Sequence, residues 1–391
     1  MYVIKVLAIM ILVGLMGAKL IGLLRLPDVT GYILAGLMIG PSVLGILSPS
    51  DLSAFRPLND IALGFIAYNI GCGMNIQHIK NLGWKIITIT FFEAGLPWLL
   101  VTIVMMLLGQ SFAFAFTIGS IASATAPAAT ILIINQYHAR GQVVDTLIPA
   151  VALDDAFCIL AFGIASSISL NLVSGIPATV YNMAIEPLLS ICSAVLIGLV
   201  MGFIALFLLR FLHQEGDVKI FDIGMIFATN FIALHFGLSN LLALMCFGLV
   251  LGNFSSRKRV NITALDGIFN PVFVAFFCFS GANLNLTALR EAGVLGVGFI
   301  LARAVGKYGG ARLGASIARM SEEIQKYLGF TLLPEAGVAI GLSAMVTNLF
   351  PPDMATTVQA IILAAVIVNE IVGPVLAKIA LQKAGEIEAG V

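Results

Sequence analysis

The chain has 391 residues, 60% of them hydrophobic and only 10% charged, with 20 acidic and 20 basic side chains in balance. Soluble domains carry about 25% charged residues, so this composition excludes one, and no basic-aromatic patch points to nucleic acid. The apolar runs are continuous rather than alternating, which excludes a β-barrel and predicts an all-α polytopic membrane protein.

About 20 apolar residues span a bilayer. Breaking the chain at charged and Pro/Gly-rich junctions predicts thirteen transmembrane helices, over 3–24, 29–47, 57–75, 84–109, 112–136, 143–171, 183–212, 218–236, 238–253, 264–282, 290–317, 324–349 and 357–384. The first is longer than the apolar core of a signal peptide and lacks a small-x-small cleavage site, so it reads as a helix that stays. Residues 1–391 read as one transmembrane transporter unit. With the N-terminus outside, fifteen basic residues fall on the inner side, and only Lys5, Arg56 and Arg290 on the outer side. That positive-inside bias predicts a multi-pass protein of the cell's inner (cytoplasmic) membrane, N-terminus outside and C-terminus cytoplasmic.

The second span contains Gly36-Leu-Met-Ile-Gly40 and the ninth Gly248-Leu-Val-Leu-Gly252. The third ends Gly73-Met-Asn-Ile76 and the tenth Gly281-Ala-Asn-Leu284. These echoes align a first repeat, about 1–171, with a second, about 218–384, and leave the helix at about 183–212 as a linker. Aligned spans run in opposite directions, the inverted-topology repeat of secondary transporters. The same register sets Glu93 over Lys307 and Asp155 over Glu370.

The fifth span reads 119-GSIASATAPAATILI-133. Pro127 removes a backbone donor and clashes with the preceding turn, freeing carbonyls around Ser123 and Thr125. In its repeat mate, 334-PEAGVAIGLSAMVTN-348, Gly337 and Gly341 permit unwinding and Ser343 offers a hydroxyl. An ordinary proline kink is the alternative for Pro127 alone. Unwound backbone survives at this depth only where it is buried or lines a cavity, and the pair is read as two crossed broken helices.

The sixth span carries Asp154 and Asp155 in 147-LIPAVALDDAFCILAFGIASSISL-170. A carboxylate at a helix centre in a bilayer costs about 2.5 kcal/mol or more, so the pair marks a functional site. Adjacent helical residues point about 100° apart, so the two carboxylates face different neighbours. Arg303 and Lys307 share a face of the eleventh span, and Lys307 is the expected ion-pair partner of one aspartate. Glu93, Glu335 and Glu370 are secondary candidates, expected to pair with Arg303 or with one another. Asp145 and Asp222 read as solvated or capping. Five cysteines and four histidines lack metal-ligand spacing. A hard alkali cation takes oxygen ligands, which Asp155 and the carbonyls near Thr125 can supply. Desolvation makes a carboxylate readier to hold a proton, so the same oxygens can hold a proton or a cation in turn.

The segments 25-RLPDVTGYILAGLMIGPS-42, 119-GSIASATAP-127, 151-VALDDAF-157, 303-RAVGKYGGA-311, 334-PEAGVAIGL-342 and 369-NEIVGP-374 resemble the second family of the cation:proton antiporter superfamily, the bacterial sodium/proton antiporters and their animal relatives. The resemblance covers nearly the whole chain. It implies a homodimer whose core domain moves, elevator-like, against a dimerisation domain. It makes Asp155 the cation and proton carrier, Asp154 the partner of Lys307 in one state, and Thr125 a neighbour of the site. The Asp-Asp pair with a lysine implies electrogenic exchange of Na⁺ (or Li⁺) for H⁺, with no enzyme activity and no cofactor beyond the transported ion. Potassium-efflux relatives attach a nucleotide-binding domain absent from this sequence, which leaves sodium against potassium open. The alternatives are a K⁺/H⁺ antiporter, a sodium-coupled organic-anion symporter and a non-transporting ion sensor. An intramembrane aspartyl protease is disfavoured, because adjacent carboxyls on one helix cannot share a proton.

Overall fold

A backbone that leaves water must satisfy its own hydrogen bonds, and long apolar runs do so as helices. The computed structural model describes residues 2–24, 26–54, 56–74, 76–174, 180–181, 185–212, 214–256, 260–261, 268–284, 286–335 and 337–387. Arg25, the basic run 257–259, Ala336 and the start of the tenth predicted span lie outside the described residues.

Among those described, seventeen helices of six or more residues follow in order. They are α1 (Tyr2–Gly22), α2 (Asp28–Ile39), α3 (Pro49–Ala54), α4 (Arg56–Gly73), α5 (Ile76–Leu82), α6 (Trp84–Leu107), α7 (Phe112–Ile121), α8 (Pro127–Gln136) and α9 (Gln142–Ser174). Then come α10 (Glu186–Leu208), α11 (Glu215–His235), α12 (Asn240–Phe254), α13 (Phe269–Ala282), α14 (Leu286–Ile317), α15 (Glu322–Thr331), α16 (Gly337–Leu349) and α17 (Pro352–Lys383). Among the described residues, six helices are long and apolar enough to cross a membrane: α1, α6, α9, α10, α11 and α17. Several other predicted spans are shorter than expected or split. The second predicted span starts at Asp28, after extended Pro27, but ends early at Ile39, where Gly40 turns extended. Ser111 and Ser239 accept hydrogen bonds from Phe114 N and Leu242 N, capping α7 and α12. The eleventh predicted span bends inside α14 at Gly293, whose φ of 49° suits a residue without a side chain.

Large apolar side chains cover the outside: Leu12, Phe91 and Leu301 are each more than half exposed. In water such a surface would drive aggregation; hydrocarbon is its natural solvent. On α14 the exposed Val297, Leu301 and Val305 occupy one stripe, and fully buried Arg303 and Lys307 the opposite one.

Helices α6, α7, α9, α14, α15 and α17 form one packed group, and α4, α10, α11 and α12 another. Helices α1, α2 and α13 form a third set that touches α4 and α17. Small residues bring the backbones together. A Cβ on Gly306 of α14 would lie 2.5 Å from Pro97 Cα of α6, and one on Gly310 would collide with the Phe92 carbonyl. This close approach sets the ionisable face of α14 directly against Glu93. Similar contacts join α2 to α13 through Gly36 and Gly281, and α4 to α12 through Gly71 and Gly248.

Candidate functional site: a buried ion cluster at two helix interruptions

The polypeptide leaves helical geometry twice near the centre of the first packed group. Helix α7 ends at Ile121 and α8 starts at Pro127; α15 ends at Thr331 and α16 starts at Gly337. Proline explains both gaps. Its missing N–H is harmless at the first position of a helix, and its ring disfavours helical geometry in the preceding residue. Pro127 opens α8 in this way. In the second gap Pro334 lies inside the break, whereas Gly341, expected to permit unwinding, sits within α16, and Gly337 is that helix's first residue. The two interruptions lie against each other: Ala126 N donates to Pro334 O at 2.9 Å, and Thr130 Oγ1 to Thr331 O at 2.9 Å.

Arg303 binds the two gaps together. Its Nη2 donates to Ala124 O at 2.6 Å and its Nη1 to Leu333 O at 2.8 Å. These carbonyls stand at or just beyond helix C-termini, where partial negative charge favours a cation. The guanidinium Nε also lies 3.2 Å from Glu335 Oε2, a close ion pair without hydrogen-bond alignment. Asn369 Nδ2 donates to the same Glu335 oxygen at 2.7 Å. The Ala124 carbonyl lies among those Pro127 is expected to free; Asn369 and the Leu333 carbonyl escape sequence reasoning. The Leu333 carbonyl carries no side-chain signal, and a single Asn in an apolar helix reads equally well as a packing residue.

One turn along α14, Lys307 Nζ lies 2.7 Å from Glu93 Oε2 and 3.1 Å from Asp154 Oδ2, with all three side chains fully buried. The expected pairing of Glu93 with Arg303 or another glutamate is therefore not what forms. Glu93 reaches Lys307 because α6 and α14 approach so closely there. Two carboxylates around one ammonium leave a formal excess of negative charge, which a bound proton or cation must balance in a low-dielectric interior.

Asp155 is 3% exposed, its Oδ1 has no hydrogen-bond partner, and no ion pair forms to it among the described residues. The segment carrying both aspartates packs near the first gap, since Cys158 Sγ, one turn on, lies 3.8 Å from Ser120 O. The two aspartates thus differ as their 100° separation requires: one is ion-paired, the other is not. Thr125 is buried in the first gap with Oγ1 unpartnered. Ser123 and Ser343 donate to the local carbonyls of Ser120 (2.6 Å) and Ile340 (2.8 Å). Glu370 accepts from Ser280 of α13 at 2.9 Å and has no basic partner among the described residues. Around the interruptions, among the described residues, the buried carboxyl groups Glu93, Asp154, Asp155, Glu335 and Glu370 outnumber the buried cations Arg303 and Lys307.

Elsewhere, Asp222 is buried rather than solvated, accepting from Asn261 Nδ2 at 2.7 Å, with Tyr68 Oη 3.5 Å away. Asp145 is exposed in the first turn of α9. The N-terminus of α9 is capped from the far end of the chain: Val143 N and Val144 N donate to the Glu386 carboxylate at 2.6 and 3.0 Å.

Comparison with known proteins agrees with this architecture. The transmembrane sodium/hydrogen exchanger family matches residues 7–383. The Na⁺/H⁺ antiporter NhaS4 of Synechocystis is 28% identical over 362 residues, covering 83% of this chain and 84% of the relative. The high-affinity Na⁺/H⁺ antiporter NhaS3 of the same organism is 22% identical, covering 90% and 84%. Human sodium/hydrogen exchanger 9B1 is 24% identical, covering 73% of this chain and 58% of the relative. In three dimensions the chain is similar to the sodium proton antiporter MjNhaP1 of Methanocaldococcus jannaschii, with a TM-score of 0.71 at 20% identity over 98% of this chain and 96% of that one. A family match spanning nearly the whole sequence, together with the shared helical fold, shows that this multi-pass membrane protein belongs to the sodium/hydrogen exchanger family.

Proposed function

We propose that this chain is a secondary antiporter exchanging Na⁺ (or Li⁺) for H⁺ across the cytoplasmic membrane, with Asp155 carrying the exchanged ions. One observation carries the reading: Asp155 is a buried carboxylate without an ion-pair partner among the described residues, while its neighbour Asp154 is held by Lys307. A lone carboxylate at that depth is tolerable only when neutralised, and H⁺ and Na⁺ are interchangeable for that purpose. The activity for which both Synechocystis relatives are named, Na⁺/H⁺ antiport, supports the same reading. A family of transporters also argues for ion exchange rather than for an enzyme.

In this account Asp155 binds the cation with oxygens of the first interruption, near Thr125. Proton binding at Asp155 expels the cation. Asp154 takes a second proton and leaves Lys307, whose ammonium stays paired with Glu93 at the shorter distance of 2.7 Å. Glu93 thereby spares the cycle the cost of an unpaired buried ammonium. Two protons against one cation makes the exchange electrogenic. The paired interruptions act as crossed broken helices within a thirteen-span inverted repeat (about 1–171 and 218–384, linked by about 183–212). The contacts of α2 with α13 and of α4 with α12 support this, because the repeat alignment exchanges one contact for the other. The group containing α6, α9, α14 and the interruptions moves as an elevator against a dimerisation scaffold, in a homodimer with the N-terminus outside.

The test is proton movement in proteoliposomes with a preset pH gradient. Collapse on external Na⁺ or Li⁺, absent in Asp155→Asn, is the expected result. Collapse with K⁺ alone would reassign the protein to potassium exchange, and none with any alkali ion would overturn the exchange reading.

A further inference from the structure

We propose that Glu370 of α17 holds a proton of its own in this arrangement, and that the neutral carboxyl, bonded to Ser280 of α13, latches the group carrying Asp155 to its neighbours. The latch rests on the reading above that this group moves during exchange; the proton does not.

Glu370 is 1% exposed and has no basic ion-pair partner among the described residues. The cavity of about 30 Å³ beside it is walled largely by apolar side chains: Leu63 and Ile66 of α4, Leu241 of α12, Phe276 and Phe277 of α13, and Val338 of α16. Apolar cavities stay dry, and this one is too poor in oxygens to hold an alkali cation. The surrounding helices bring no counterion. Helices α7, α8, α12, α13 and α16 contain no Asp, Glu, Lys, Arg or His. On α14, Arg303 is held by Glu335, and Lys307 by Glu93 and Asp154. On α15, Lys326 pairs with Glu322 at the exposed surface. The titratable groups of α2, Asp28 and Tyr32, supply no cation, and on α4 Tyr68 donates to Asn261 O at 3.0 Å. Lys378, two turns further along α17, lies over the Tyr137 ring. An isolated charge in such an enclosure costs far more than a neutral acid, so the carboxyl keeps its proton.

Ser280 Oγ donates to Glu370 Oε2 at 2.9 Å. The bond crosses between packed groups, since α17 packs with α14 and α15, and α13 with α1 and α2. Gln136 Oε1 of α8 also accepts across such a boundary, from Asp28 N of α2 at 3.1 Å. Neither an amide side chain nor a backbone N–H titrates, whereas Glu370 does, so Glu370 couples a proton to the position of the group. Ionised, it is a lone charge in an apolar enclosure, relieved only when the groups part and water enters. Neutral, it lets them close.

The proton is read by infrared difference spectroscopy on the full-length protein in lipid, near neutral pH. Wild type minus Glu370→Gln should show the C=O stretch of a protonated carboxyl. Ser280→Ala should shift that band to higher frequency as its hydrogen bond is lost. A carboxylate band in the same difference would overturn the proposal, and so would a carboxyl band indifferent to Ser280→Ala. The latch is read by the distance between spin labels at two exposed positions, Gln142→Cys of α9 and Glu215→Cys of α11, in an otherwise cysteine-free protein. Ser280→Ala should move the balance of distances about fivefold, the worth of one hydrogen bond. Glu370→Gln keeps an acceptor and cannot ionise, so it should hold the wild-type balance near neutral pH and lose the drift seen at alkaline pH. A balance unmoved by Ser280→Ala, or an alkaline drift that survives in Glu370→Gln, would overturn the latch. Failure of the exchange reading is seen separately, as a wild type that moves no protons on adding any alkali cation.

Discussion

Removing the Lys307 ammonium tests the electrostatics of the cluster most sharply. In Lys307→Ala, Glu93 and Asp154 lose contacts of 2.7 and 3.1 Å while remaining fully buried. Breaking a buried pair by deleting one partner costs about 3–5 kcal/mol, because an uncompensated charge stays behind. With an unfolding entropy of roughly 2.1 cal/mol/K per residue, a chain of this length converts that into a fall of about 4–6 °C in Tm. The control is the neutral triple variant Glu93→Gln, Asp154→Asn, Lys307→Met. Replacing a whole buried ion cluster with neutral side chains of similar size is often close to neutral, so the triple variant should recover most of the lost stability although three residues have changed. Thermal unfolding in detergent, read by intrinsic fluorescence, gives both values. A Lys307→Ala protein as stable as the wild type, or a triple variant no more stable than Lys307→Ala, would refute the charge argument.

Other outcomes follow from the same geometry. Asp155→Asn removes a carboxyl with no ion-pair partner, so exchange should vanish while Tm is kept or rises; a fall in Tm would mean that Asp155 is structural. Arg303→Lys keeps the charge but cannot span the Ala124 and Leu333 carbonyls. It should cost about 1.5–3 kcal/mol per charge-assisted bond lost, measured by denaturation and compared with Arg303→Ala. Glu386→Ala uncaps α9 and should cost about 1 kcal/mol. Burial holds the Glu386 carboxyl above its ordinary 4.5, outweighing the opposing effect of the Val143 and Val144 N–H groups. The folded protein therefore keeps this proton to higher pH than the unfolded chain, so the pH-dependent part of its contribution, additional to the cap itself, is full below 4.5 and lost as pH rises through the raised value. Glu386→Gln should flatten that slope in Tm against pH; an unchanged slope would assign it to other groups.

Much of the architecture is legible in the sequence because membranes leave few solutions. Apolar runs must be helices, and Asp154, Asp155, Arg303 and Lys307 stand out against them by cost alone. Pro127 likewise announces the first interruption. The second was harder to locate: Gly337 and Gly341 looked like the weak points, yet glycine only permits a break whereas Pro334 enforces one. The repeat spacing sets Glu93 over Lys307, but that the two side chains meet depends on Gly306 and Gly310 letting α14 settle against α6. Arg303 was seen as a charge seeking a carboxylate. Its two hydrogen bonds to carbonyls at the interruptions are invisible in one dimension, because every residue carries the same backbone. Asp222 is not legible as buried because closeness to a helix end suggests water, while Asn261 and Tyr68 fold over it.

The central claim is that one carboxylate, Asp155, holds either the cation or the proton. The most direct test is the half-saturating Na⁺ concentration for exchange, measured as a function of pH in proteoliposomes. Competition for one site predicts a value that rises about tenfold per unit of acidification on the acid side while the maximal rate holds. A half-saturating concentration independent of pH, with the maximal rate falling instead, would place proton and cation on separate sites and contradict the account.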